Sequence, residues 1–266
     1  MRRVRMIAAA VLGLMLAAST AADFLPSGSY SQQYRAWSSA APSSRFPLGT
    51  DDLGRDRLMR LLHATRTSLL LAPAAAAVTT LLAALMGGIA GYFGGWWDRC
   101  AVRAIDLMLS LPWLFLLLAV RALLPLNVAP GTSLFVTYGI LAALGWASPA
   151  RVVRAGARHL RDSEFVLQAR ASGCPEPRVL LRHIIPNLRP VLLAQFWTTI
   201  PIFILAEANL GLLGLSASEP FPTWGNLLEE LQHPFPIRSE VFAPLVVVAL
   251  AVCCFKLVLP LEDSRV

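Results

Sequence analysis

The sequence predicts an all-α membrane protein with six membrane-crossing helices and one charged helical loop on the cytoplasmic side. Three observations predict it. The 266 residues are 56% hydrophobic and only 15% charged, and the mean hydropathy of +0.60 lies outside the range of soluble globular chains. Apolar stretches long enough to cross a hydrocarbon core of about 30 Å recur near 6–25, 68–90, 104–124, 133–150, 191–213 and 241–259. The arginines concentrate in alternate segments between those stretches, as the positive-inside rule requires.

In chain order, residues 1–25 form an N-terminal signal-anchor helix, with Arg2, Arg3 and Arg5 holding its start inside. The same stretch also reads as a cleavable secretory signal, because Ala18-Ser19-Thr20-Ala21-Ala22 offers a small-residue cleavage site. Either reading leaves residue 26 onward outside. Residues 26–66 are an extracytoplasmic segment in which Leu58, Leu61, Leu62 and Leu69 fall at helical spacing beside Arg55, Arg57, Arg60 and Arg66. That pattern suits an interfacial helix on the outer leaflet, or a frayed, cationic start to the second span. The membrane domain proper then runs over 67–260. In its first span Gly87, Gly91 and Gly95 recur every four residues, a helix-packing ridge that admits a second helix closely, although Gly94-Gly95 also marks a turn.

The loop Trp96 to Arg103 falls inside, and Pro112, Pro149, Pro201 and Pro244 are expected to kink or end helices. Residues 151–190 form a second cytoplasmic loop. There Arg151, Arg154, Arg158, Arg161, Arg170, Arg178, Arg182 and Arg189 outnumber Asp162, Glu164 and Glu176. A helical loop with a glycine break at Gly173 and a proline stop at Pro186 suits docking of a soluble partner; the plainer alternative is a solvated loop that only fixes topology. Glu207 and Asn209 sit in the outer part of the fifth span, where an ionisable group must face a pathway, a partner or the headgroups. The segment Glu219 to Glu240 carries Glu219, Glu229, Glu230 and Glu240 against Arg238 alone, as an outer segment should.

The composition also excludes several chemistries. The net charge of +7 is spread through loops, which fits topology and contact with anionic membrane lipid, and argues against nucleic acid. Cys100, Cys174, Cys253 and Cys254 lack metal-ligand spacing and imply no disulfide framework. No phosphate loop, zinc-protease helix or nucleophile elbow is present, and His63, His159, His183 and His233 are scattered. We expect no catalytic, cofactor or metal site, so work against a gradient would draw its energy from elsewhere.

The loop sequence EFVLQARASGCPEPRVLLRHIIPN, Glu164 to Asn187, resembles the EAA motif of binding-protein-dependent ABC importer permeases, in which a glycine precedes a proline by thirteen residues, as Gly173 precedes Pro186. PLGTDDLGRD (Pro47 to Asp56), GYFGGWWDR (Gly91 to Arg99), LAEANLGLLG (Leu205 to Gly214) and Pro222-Thr223-Trp224-Gly225-Asn226 are similar, in order, to C-type permease subunits of the dipeptide, oligopeptide and nickel branch. The resemblance implies a type I importer permease fold with residues 164–174 as a coupling helix, and makes Glu164, Phe165, Leu167, Gln168, Ala169, Arg170, Gly173 and Pro186 the ATPase-coupling residues. It further implies a multi-pass protein of the bacterial inner membrane, N-terminus cytoplasmic, binding no nucleotide. Its partners would be a homologous permease, two cytoplasmic ATPase subunits and an extracytoplasmic solute-binding protein.

The chain departs from the family pattern at Leu167, where the motif glutamate usually stands, and at Gln168, the place of the first alanine; Glu164 lies one helical turn earlier. Docking is therefore expected through apolar contact. The tail LEDSRV is shorter than in this branch. Peptides and nickel or another metal chelate both remain open as substrate, since EFVLxxRxSG also resembles nickel-type members. An ion-coupled secondary transporter would be expected to show internal repeats and midplane carboxylates, and no repeat is evident.

Overall fold

A computed structural model describes residues 2–24, 29–123, 129–215, 220–232 and 239–258. The sequence readings at Met1, Glu219, His233, Arg238 and the LEDSRV tail, and the last residues of the first, third and sixth expected spans, lie outside them. Among the described residues the structure is helical, with one isolated bridge between Thr50 and Asp56.

Helix α1 (Arg2–Ala21) packs along α12 (Ala243–Val258) and α2 (Arg57–Phe93). Helix α2 has 37 residues, about 55 Å at 1.5 Å per residue, so it outruns the hydrocarbon core. Its start is set by Asp56, whose carboxylate accepts hydrogen bonds from the backbone N–H groups of Leu58 at 2.9 Å and Met59 at 3.4 Å. Pro73 lies within it, and it ends where the Gly94 N–H donates to the Ala90 carbonyl at 3.0 Å.

From Arg57 on, the cationic stretch read as an interfacial helix or as the start of the second span is helical. Residues 57–67 are the first turns of α2, continuous with the span. The arginines read as facing headgroups are matched by carboxylates distant in sequence or in the preceding turn. Arg55 and Arg60 meet Asp51 at 2.6 and 3.1 Å, Arg57 meets Glu230 at 3.2 Å, and Arg66 pairs with Asp23. Arg60 is 2% exposed.

The third span is broken. Helices α3 (Gly95–Ser110) and α4 (Trp113–Ala122) meet at 85° across Leu111 and Pro112, because proline removes a backbone donor and disfavours helix at the residue before it. The fourth span, α5 (Pro130–Leu144) with α6 (Ala147–Arg161), runs on past the expected end at 150 as a stretch of 31 residues, Gly131–Arg161. Then follow α7 (Glu164–Ala171), α8 (Glu176–Val179), a π turn (Leu180–Ile184), α9 (Ile185–Asn187), α10 (Arg189–Leu212) and the short α11 (Trp224–Glu229). Among the described residues five helical stretches are long and apolar enough to cross a membrane, and the bent pair makes six when taken as one broken span.

Helix α2 is the centre of the bundle, touching α1, α3, α5, α6, α10 and α11. One apolar cluster surrounds its N-terminal part, including Leu69, Leu141, Phe203 and Trp224. A second, the inner cluster, surrounds its C-terminal end, including Tyr92, Val153, Val166, Val179 and Ile184.

Candidate docking site

Helix α7 is short, and its ends are well specified. Ser163 precedes it in extended conformation, its carbonyl accepting from Val166 N at 3.0 Å and Leu167 N at 3.1 Å, while its hydroxyl turns back to the Leu160 carbonyl at 2.6 Å. Glu164 in the first turn suits the positive end of the helix dipole. At the other end the Cys174 N–H donates to Ala169 O at 3.1 Å and the Gly173 N–H to Arg170 O at 2.9 Å. This is a Schellman closure, and it requires the left-handed backbone that Gly173 adopts at φ +78°. Nothing lies within 4 Å of where a Gly173 Cβ would sit, so the constraint there is conformational and not steric.

One face of α7 is anchored. Val166 is fully buried in the inner cluster. Arg170 reaches across to Glu176, its Nε 3.3 Å from Oε1, and its guanidinium lies 5.2 Å from the centre of the Tyr92 ring. The Tyr92 hydroxyl donates to the same Glu176 carboxylate, and Tyr92 is 1% exposed at the C-terminal end of α2. The opposite face is open: Phe165 and Leu167 are 36% and 53% exposed, beside exposed Gln168. A helix with buried anchors on one side and uncovered apolar residues on the other can receive a partner without leaving the bundle.

The remaining candidates are distributed as follows. Glu164 is exposed, Ala169 half-buried, and Pro186 sits inside α9 just after the π turn. Helix α9 ends at Asn187, one residue beyond the expected proline stop, and the Leu188 N–H is shared between the Ile184 and Ile185 carbonyls, 3.1 Å from each. Gly87 and Gly91 press against α6 of the same chain, where a Cβ would lie 2.5 Å from Ala150 O and 2.4 Å from Arg154 O. Gly95 does not continue that ridge; it opens α3 at φ +57° with nothing within 4 Å. The glycine ridge, expected to wait for a partner helix, is thus occupied internally.

Glu207 is 1% exposed and faces its own chain. Its carboxylate accepts from the Gly225 N–H at 3.1 Å, at the start of α11. Gly225 lies so close that a Cβ would sit 2.6 Å from the Glu207 carbonyl oxygen. Trp224 beside it is fully buried and donates its indole N–H to Thr65 Oγ1 at 3.2 Å. Asn209, by contrast, is exposed. Two further pairs hold α3 to α6: Arg151 to Asp106 at 2.5 Å, and Arg154 to both carboxylate oxygens of Asp98. Sequence reasoning did not single out Tyr92, Glu176, Trp224 or Gly225 as interacting groups. Their only signals were a tyrosine at the inner end of a span and a Thr-Trp-Gly-Asn helix start. Among the described residues no group of three His, Cys, Asp or Glu is placed to hold a metal ion.

Residues 81–265 match the family described as "Binding-protein-dependent transport system inner membrane component". Among similar proteins is the dipeptide transport system permease protein DppC of Alkalihalophilus pseudofirmus, 33% identical over 249 residues, spanning 90% of this chain and 80% of that protein. The oligopeptide transport system permease protein OppC of Haemophilus influenzae is 30% identical over 211 residues, 79% of this chain and 66% of that protein. OppC of Bacillus subtilis is 31% identical over 189 residues, 71% of this chain and 60% of that protein.

Proposed function

The chain belongs to the family of binding-protein-dependent transport system inner membrane components, and from that premise we propose that it is the permease subunit of an ATP-driven peptide importer, forming half of the translocation pathway. It is a multi-pass inner membrane protein of a transport family whose members act with ATPase and binding-protein partners. The relatives it matches are named for dipeptides and oligopeptides, which supports peptide as substrate over the nickel or metal-chelate alternative. Membership of this family likewise disfavours an ion-coupled secondary transporter.

In this reading residues 1–25 are the anchor, 26–66 the extracytoplasmic segment, and 67–260 the permease domain with its coupling loop at 151–190, and the N-terminus is cytoplasmic. The chain pairs with a homologous permease, contacts anionic lipid through its arginines, and leaves ATP hydrolysis to two separate subunits. The single observation that carries the mechanism is the two-sided character of α7, anchored by Val166 and Arg170 and uncovered at Phe165 and Leu167. Phe165 and Leu167 fill a groove on an ATPase, with Glu164, Gln168 and Ala169 around them, while Gly173 and Pro186 set the bends on either side of α8. Closure of the ATPase pair on ATP then moves the loop and, with it, the inner halves of the spans.

Burying one such apolar side chain contributes about 1.5–3 kcal/mol, so a charge in its place should strongly weaken docking. Co-purification tests this: Leu167→Lys should lose the ATPases while retaining the partner permease. ATPases retained at wild-type affinity would refute the role of α7.

A further inference from the structure

Two covalent paths lead from α7 to the spans, and each passes a bend. Backward, the chain reaches α6 through extended Ser163; forward, it passes Gly173 at φ +78° with open space around it. The third path is not covalent. Arg170 and Glu176 grip Tyr92, the buried penultimate residue of α2. Bonds to an ionised carboxylate are the stronger kind, and a guanidinium over an aromatic face adds to them.

Helix α2 is held at several levels. Gly87 and Gly91 meet the α6 backbone, Thr79 Oγ1 donates to Ala142 O at 3.2 Å, Thr65 receives the Trp224 indole, and Arg60 meets Asp51. A push at Tyr92 therefore acts on a single helix whose far end touches α11 and the extracytoplasmic segment.

Building on the reading of α7 as the ATPase contact, we infer that Tyr92 is a positioning residue for transport: through Glu176 and Arg170 it passes displacement of the docking loop to α2, and α2 carries it to the outer closure around Trp224 and Gly225. The loop thereby serves two purposes. Phe165 and Leu167 on its uncovered face receive the partner, whereas Arg170 and Glu176 face inward as a clasp on α2.

The test uses the complete reconstituted complex of both permeases, the ATPases and the solute-binding protein. That protein is loaded with whichever of dialanine, trialanine or pentaalanine stimulates the wild type. Tyr92→Phe keeps the ring and removes only the hydroxyl. It should retain the ATPases and basal hydrolysis within about twofold, while stimulated hydrolysis and peptide uptake fall about tenfold, the scale of one lost hydrogen bond to a charged group. Glu176→Gln, in an exposed stretch where folding is not at risk, should give the same loss, and the double variant should be no worse than either single one.

Wild-type stimulation and uptake in both single variants would overturn the inference. So would a loss of assembly and basal hydrolysis in parallel with uptake, which would mark a merely structural contact. If the ATPases bind wild type and not Leu167→Lys, yet Tyr92→Phe transports normally, the clasp falls and the docking role of α7 stands. If no peptide stimulates the wild-type complex, or its ATPases do not co-purify with the chain, the functional reading itself falls and takes the inference with it.

Discussion

Gly91→Ala adds one methyl group at the tightest point between α2 and α6. A Cβ at Gly91 would sit 2.4 Å from Arg154 O, 2.8 Å from the Ala157 Cβ and 3.0 Å from Arg158 N, whereas ordinary contact begins near 3.4 Å. All three atoms belong to the α6 main chain or to a Cβ, so none can rotate away, and the helices must part by roughly 1 Å. Overpacking of this kind costs about 1–3 kcal/mol, against which better helix propensity returns up to about 1 kcal/mol. Because the contacted atoms cannot yield, the cost falls in the upper half of that range, and the net loss of about 1–2 kcal/mol corresponds to a melting temperature lower by roughly 2–8 °C for a domain of this size. Thermal unfolding of the isolated chain in nanodiscs is the assay. Gly139→Ala, in α5 with nothing within 4 Å of its Cβ, is the control and should be neutral or mildly stabilising. Wild-type melting of Gly91→Ala would refute the reasoning. A loss appearing only with the partner permease present would return the ridge to an intermolecular contact.

Three other outcomes are expected. Gly173→Val meets no neighbour but is forced into left-handed backbone, a penalty of roughly 1–2 kcal/mol. It should insert and pair normally yet lose substrate-stimulated ATP hydrolysis and uptake, and normal coupled uptake would return the loop to a purely topological role. A reporter fused at Arg158 should be cytoplasmic and one at Gln232 extracytoplasmic; the reverse would invert the topology. The Glu230 carboxyl is held above the ordinary glutamate range by burial, which outweighs the opposing pull of Arg57 at 3.2 Å. An acid raised in the folded state binds protons more readily there, so its contribution is favourable at low pH and is lost as pH rises. Glu230→Gln should therefore melt no lower than wild type at pH 7, with the difference vanishing as pH falls through the ordinary glutamate range. A variant that melts lower at pH 7 and recovers in acid would show that the Arg57 pair dominates.

The spans were legible because a 30 Å apolar slab selects for uninterrupted apolar runs, and the break in α3 and α4 was foreshadowed by Pro112. Its 85° angle was not, because direction depends on what receives the second half. The ion pairs of Arg57, Arg60 and Arg66 were not legible, for one reason. Helical spacing identifies the face of a helix, but the groups neutralising that face came from Asp23, Asp51 and Glu230, on three other segments. The same blindness applies to Tyr92 and Glu176, 84 positions apart, and to the contact of Glu207 with Gly225. At the docking loop the ends of α7 were legible, since Gly173 is a local conformational demand. Which of its faces is buried depended on Val179 and Ile184, supplied by the returning chain.

The π turn at Leu180–Ile184 has a consequence for how α10 is aimed. An α-helix advances about 100° per residue, and a π turn accommodates one residue more than an α turn in the same rise. That surplus residue fixes the rotational phase between the docking loop and everything that follows. Winding the same five residues as a regular α turn would leave hydrophobicity and charge unchanged, yet it would rotate α10 by about a quarter of a revolution relative to α7. Glu207 would then point away from Gly225, and the inner loop and the outer closure, each intact, would no longer be in step.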